Sequence, residues 1–179
     1  MSIPSVETLS AGRWIASDHW IDVGNPADTR TTVARVPGLA PDGVRATYDA
    51  AVVGFQEWRR TSPFRRAEVL RSAATLLRER RPDIAADVVA ENGKTITEAR
   101  VEVTKAADFL DYYAGLAREP YGSLLHDARP GTRTHVQREP VGVVLAITPW
   151  NDPLLTPARK LAPALMAGNA VVLLSLIHI

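Results

Sequence analysis

Apolar residues fall along this chain in two rhythms, and the switches between them divide it into elements. In the first forty or so residues they come in short β-prone runs. Arg13-Trp14-Ile15-Ala16 and Trp20-Ile21-Asp22-Val23 flank the polar Ser17-Asp18-His19, Asn25-Pro26-Ala27-Asp28 makes a turn, and Thr31 to Val36 reads as another strand. Helical spacing then takes over. Val44, Tyr48, Ala51, Val52, Phe55 and Trp58 lie on one stripe, with Asp42 as the expected N-cap and core packing as the expected role of the stripe. Ser62 as N-cap and Pro63 at the first helical position open a second helix with the stripe Ala67, Leu70, Ala74 and Leu77. Pro82 opens a third through Ile84, Val88 and Val89, stopped at Asn92-Gly93. A fourth runs from about Thr97 to Leu116 with Val103, Ala107, Leu110 and Ala114 on one face.

Beyond Pro120 the texture changes again. Gly122 to His126 and Thr132 to Glu139 read as two strands joined by the Arg129-Pro130-Gly131 turn. Val141 to Ile147 is continuously aliphatic, the pattern of a parallel-sheet strand covered on both faces. A loop from Thr148 to Asp152, a helix from Pro153 to Ala167 ended by Gly168-Asn169, and a strand from Ala170 to Leu174 complete a βαβ unit. The class is α/β, with a helical layer in front of the start of a parallel sheet.

Composition narrows the function without naming it. Of 179 residues 46% are hydrophobic and 23% charged, which is ordinary for a globular chain. A net charge of +1 gives no electrostatic footprint for nucleic acid or anionic lipid, and the Arg78 to Arg81 stretch reads as a solvated helix end. With no cysteine there is neither a disulfide framework nor a thiolate nucleophile in the chain. Met1 to Ser10 lacks a signal-peptide pattern and no apolar run is long enough to span a bilayer, so the expected location is cytoplasmic. His19, His126 and His135 lack metal-ligand spacing, and His178 has no partner group, so no metal site is expected.

The chemistry points to the loop after the first buried strand, because ligands of open α/β sheets sit beyond the carboxyl ends of the strands. There Thr148-Pro149-Trp150-Asn151 sets an asparagine between two prolines that stiffen the backbone. A side-chain amide held so is a suitable donor to a developing oxyanion. The commoner use of such an asparagine is to cap the helix opening at Pro153.

The segment Pro140 to Asn151, continuing through Pro153-Leu154, Leu161-Ala162-Pro163-Ala164-Leu165 and Gly168-Asn169-Ala170-Val171-Val172, resembles a signature of the aldehyde dehydrogenase superfamily. Upstream, Glu91-Asn92-Gly93-Lys94, Trp58-Arg59 and Tyr112-Tyr113-Ala114 are similar to further family elements, so the resemblance runs from about residue 11 to 173. It implies that Asn151 stabilises the oxyanion, and that Ile147, Thr148, Pro149, Trp150 and Asn151 line the site of NAD or NADP in a Rossmann-like domain without the usual glycine fingerprint. It also implies a small-molecule aldehyde as substrate, a homo-oligomer as the assembly, and a mechanism with a cysteine nucleophile and a glutamate base.

The resemblance divides the chain into residues 1–121, strands and helices of the cofactor domain; 122–139, an oligomerisation hairpin; 140–174, the first βαβ unit; and 175–179, an aberrant tail. Asp152 stands where the family usually carries an apolar or aromatic residue that shapes the aldehyde tunnel. After Leu173, Leu174-Ser175 replaces the lysine and Pro-Ser that the family pattern calls for. The expectation is an N-terminal piece of such an enzyme, inactive alone, with the catalytic domain absent. Two rival readings are a small non-catalytic partner-binding module of the same fold and a CoA-acylating or phosphate-reducing relative. Trp150-Asn151 favours the hydrolytic branch over the latter.

Overall fold

A computed structural model describes residues 5–175; the 176–179 part of the expected tail, with His178, and Met1 to Pro4 of the N-terminal stretch lie outside the described residues. The elements follow in the order β1 (Thr8–Ser10), β2 (Arg13–Ile15), β3 (Trp20–Asn25), β4 (Asp28–Pro37), α1 (Pro41–Trp58), α2 (Pro63–Glu79), α3 (Arg81–Asn92), α4 (Ile96–Gly115), β5 (Gly122–Leu125), β6 (Thr134–Gln137), β7 (Val143–Thr148), α5 (Leu155–Met166) and β8 (Ala170–Ser175). The strands pair two by two: β1–β2, β3–β4 and β5–β6 antiparallel, β7–β8 parallel with Val143 opposite Ala170 and Thr148 opposite Ser175. The expected turn at Asn25 to Asp28 closes the β3–β4 hairpin. Among the described residues no helix is long and apolar enough to cross a membrane.

The helical core is built on alanine. Ala67, Leu70 and Ala74 of α2 meet Ala107, Leu110 and Ala114 of α4, and Ala162 and Met166 of α5 close the cluster. A second cluster joins Ala85 and Val88 of α3 to Ala99 and Val103 of α4. Small side chains at these crossings let the backbones approach closely, which leaves little room for a larger residue without strain. Ser62 caps α2 as expected, accepting from the Arg65 N–H, and Thr95 with Glu98 forms a full capping box on α4.

Three expectations need correction. Asp42 is not the N-cap of α1; Ala40 holds that place, with Pro41 at the first position and Asp42 in the first turn, where its charge still suits the helix dipole. The α1 stripe does not form core: no α1 residue is fully buried, and Val44, Tyr48 and Val52 are exposed. Helix α1 leans on β7 and β8 and is tied to the end of α5 by a bond from the Trp58 indole N–H to the Leu165 carbonyl, 2.8 Å. Nor is β7 covered on both faces. Ala146 and Thr148 are buried, while Leu145 and Ile147, on the alternate face, are 58% and 45% exposed.

The βαβ unit is held together at its entry by Asn169. Its side-chain oxygen accepts from the N–H groups of Val141 and Gly142, and its amide donates to the Ala164 carbonyl, so the end of α5 and the start of β7 share one side chain. Helix α5 begins at Leu155, two residues later than expected.

Candidate active site

The loop of interest, residues 149–154, leaves β7 and enters α5. What orders it lies in the turn between α3 and α4. Gly93, at φ +80°, ends α3 in the left-handed conformation, and a Cβ there would come 2.9 Å from Pro26 Cγ, so both backbone and space call for glycine. Thr95 then caps α4, which leaves Lys94 as the single residue between a stop and a start.

Two side chains of that turn reach the loop. The Asn92 amide donates to the Trp150 carbonyl at 2.9 Å, and the Lys94 ammonium donates to Asp152 Oδ1 at 2.7 Å. Lys94 also donates to Glu102 Oε2 at 2.5 Å, and Glu102, almost wholly buried, turns its other oxygen to the N–H groups of Leu154 and Leu155 at 2.8 and 3.0 Å. A carboxylate from α4 therefore caps α5, satisfying two of its orphan donors and meeting the positive end of its dipole. Burial works against the Lys94 ammonium, but hydrogen bonds to Asp152 and Glu102 outweigh it and its pKa is raised.

With Glu102 in that role, Asn151 is not the helix cap. Its amide makes one long contact, 3.5 Å to Asp152 Oδ2, and the residue is exposed. Asn151 forms part of the wall of an open cavity of about 440 Å³ together with Lys94, Glu102, Lys105, Asp152 and Leu155. A larger groove of about 760 Å³ lies between the base of the β5–β6 hairpin and the ends of α4 and α5, but no residue of the 149–154 loop reaches it. The smaller cavity is the candidate site because Asn151, on the tied-down loop, lines it.

The other expected site residues divide. Ile147 and Trp150 are open to solvent, Trp150 by 62%, and Pro149 is exposed between them. Thr148 differs: it is 1% exposed and its hydroxyl donates to the Leu174 carbonyl at 3.3 Å, so it packs inside the βαβ unit and presents almost no surface of its own. The strand ends Thr148 and Ser175 lie side by side, forming the carboxyl edge beyond which a dinucleotide binds in parallel sheets. Sequence reasoning missed Glu102. Its signal was an acid on the buried stripe of α4, beside Ala99, Val103 and Ala106, where an unpaired carboxylate would be very costly.

Glu91, in the same cluster, is half-buried and its pKa is raised, first by burial and then by repulsion from Asp87 and Glu102. A raised carboxyl stabilises the fold in its protonated form; that stability is complete below the ordinary glutamate value and is lost as pH rises through the raised one. Glu91→Gln is therefore expected to raise the melting temperature at about pH 8, with the advantage vanishing near pH 4. Paired melts of the two chains across that range test it, and a variant that melts lower at neutral pH would contradict it.

The family model described as the aldehyde dehydrogenase family matches residues 14–175. The chain is 40% identical over 175 residues to the alpha-ketoglutarate semialdehyde dehydrogenase of Haloferax volcanii, covering 97% of this chain and 36% of that protein. The solved lactaldehyde dehydrogenase of Escherichia coli superposes with a TM-score of 0.92 at 36% identity, over 96% of this chain and 36% of that one. A betaine aldehyde dehydrogenase of Staphylococcus aureus, solved with NAD+, superposes at 0.90 and 29% identity, over 94% and 34%. The chain thus spans about a third of the length of its relatives. On the family match over most of its length, the chain belongs to the aldehyde dehydrogenase family.

Proposed function

We propose that this chain supplies the oxyanion amide and one lip of the cofactor site to an NAD(P)-dependent aldehyde dehydrogenase that oxidises a small aldehyde to a carboxylic acid. The observation that carries this is the state of Asn151: its loop is tied down from the α3–α4 turn, its helix is capped by another residue, and its amide is at a cavity wall. When a thiolate adds to the aldehyde carbon, the carbonyl oxygen takes the negative charge, and a held N–H is what stabilises it. NAD or NADP, when bound at this edge, would supply the acceptor for the hydride that leaves that carbon. Ile147, Pro149 and Trp150 offer it apolar surface and backbone at the carboxyl edge of β7, and buried Thr148 holds the strand end beneath them. On this reading the thiolate comes from outside residues 1–179, since the chain has no cysteine, and the family resemblance assigns the base that assists thioester hydrolysis to the same missing part.

The β5–β6 hairpin exposes Leu124, Leu125 and Val136, with Leu124 at 76%, and we assign it to contact between copies in the assembled enzyme. On this reading the divisions at residues 121, 139 and 174 separate the cofactor-domain helices, the assembly hairpin and the first βαβ unit.

The test has two arms. The 179-residue chain mixed with aldehydes and NAD+ or NADP+ should produce no reduced nicotinamide above a heat-treated control. Residues 1–173 joined to the remaining two thirds of the E. coli lactaldehyde dehydrogenase should produce it. Turnover by the chain alone would refute the reading.

A further inference from the structure

Asp152 carries the wrong charge for its place. It is the residue next to the amide that, on the proposed function, holds a developing oxyanion, and its Oδ2 is 3.5 Å from that amide nitrogen. A carboxylate a few ångströms from a nascent negative oxygen raises the energy of the state that the site should stabilise, and strongly so where water is excluded.

The same cluster holds the remedy. Asp152 Oδ1 takes the Lys94 ammonium at 2.7 Å, leaving Oδ2 to face Asn151. Lys94 cannot leave cheaply, since Glu102 behind it is 3% exposed and would lose its cation. The backbone on either side of Lys94 is set by Gly93 and by the Thr95 capping box. Of the other charged groups on the cavity wall, Glu98 is committed to that box and Lys105 lies further along α4.

We infer that Lys94 is a positioning residue for the oxyanion step, one that neutralises Asp152 and turns its carboxylate so that one N–H of Asn151 is held and the other is left for the substrate oxygen. An amide has two such hydrogens, so turning one toward Asp152 Oδ2, 3.5 Å away, aims the other toward the cavity. The inference rests on the reading of Asn151 given above.

In the enzyme assembled from residues 1–173 and the E. coli lactaldehyde dehydrogenase remainder, Lys94→Met should lower kcat by about tenfold or more, as expected for an uncompensated charge near the oxyanion. KM for the cofactor should hold. Adding Asp152→Asn to Lys94→Met should recover most of the lost kcat, a rescue that a purely structural lysine would not give. If Asn151→Ala slows the enzyme while Lys94→Met does not, or if Asp152→Asn brings no recovery, the inference falls and the oxyanion reading stands. If Asn151→Ala has no effect, the oxyanion reading itself falls. A second measurement needs no turnover: in the 179-residue chain, the backbone amides of Trp150, Asn151, Asp152, Leu154 and Leu155 should exchange faster in Lys94→Met. Unchanged exchange would overturn the inference whatever the kinetics.

Discussion

Asn151→Ala, made in the assembled enzyme, is expected to lower kcat by about 10² to 10³, the usual consequence of deleting one oxyanion donor. The physical case rests on what the side chain is not doing. An asparagine that capped α5 would hold a backbone N–H of the first turn, but Leu154 and Leu155 give theirs to Glu102. Removing the Asn151 amide therefore leaves the helix end satisfied, and the melting temperature should stay close to that of the parent. Affinity for NAD+ should also hold, because the surfaces offered to the cofactor belong to Ile147, Pro149 and Trp150. Steady-state kinetics with a calorimetric melt separates the alternatives. An unchanged kcat with a loss of about 1 kcal/mol in stability is the signature of a cap, and would remove Asn151 from the chemistry.

How far the sequence could be read depended on whether the deciding forces were local. The stops and starts of α2 and α3 were legible because Ser62, Pro63 and Gly93 act within a few residues of themselves. The same holds for the βαβ unit, where an unbroken aliphatic strand and a Gly168-Asn169 stop announce the order of elements. The failures were of another kind. Asp42 reads as the N-cap of α1, but Pro41, fitted to the first helical position, sets the start without a side-chain cap. The stripe of α1 and the unbroken run of β7 show which faces are apolar, and only tertiary structure shows whether anything covers them.

The site was half legible. The loop and Asn151 could be found from strand, prolines and family resemblance, but what holds them could not, because Asn92–Trp150 and Lys94–Asp152 each join residues 58 apart in sequence. Glu102 is 52 and 53 residues from the N–H groups it caps. No pattern of short range links these partners, although a buried-face acid and a lysine after a left-handed glycine each mark a residue in want of one.

The isolated 179-residue chain is expected to self-associate through its β7–β8 pair. On β7, Leu145 and Ile147 stand out from the uncovered face, and on β8 Leu174, opposite Ile147, is exposed beside them. Each strand pairs with the other alone among the described residues, so each keeps an outer edge of backbone N–H and C=O groups without a ladder partner. An apolar face bounded by open edges favours strand addition from another copy, and a net charge of +1 gives little repulsion between copies. The helices are better provided for: the clusters joining α2, α3, α4 and α5 are closed by buried alanines, leucines and valines, so helical content should persist in the associated state. Size-exclusion chromatography over a concentration series, with circular dichroism on the same samples, tests both halves. Elution should move to larger species as concentration rises while the helical signal holds, and Leu145→Lys with Leu174→Lys should shift it back towards monomer by charging the open face. A parent chain that stays monomeric at every concentration and melts in one cooperative step would mean that two strands and their helices already form a self-sufficient unit, and would restore the binding-module reading of this sequence.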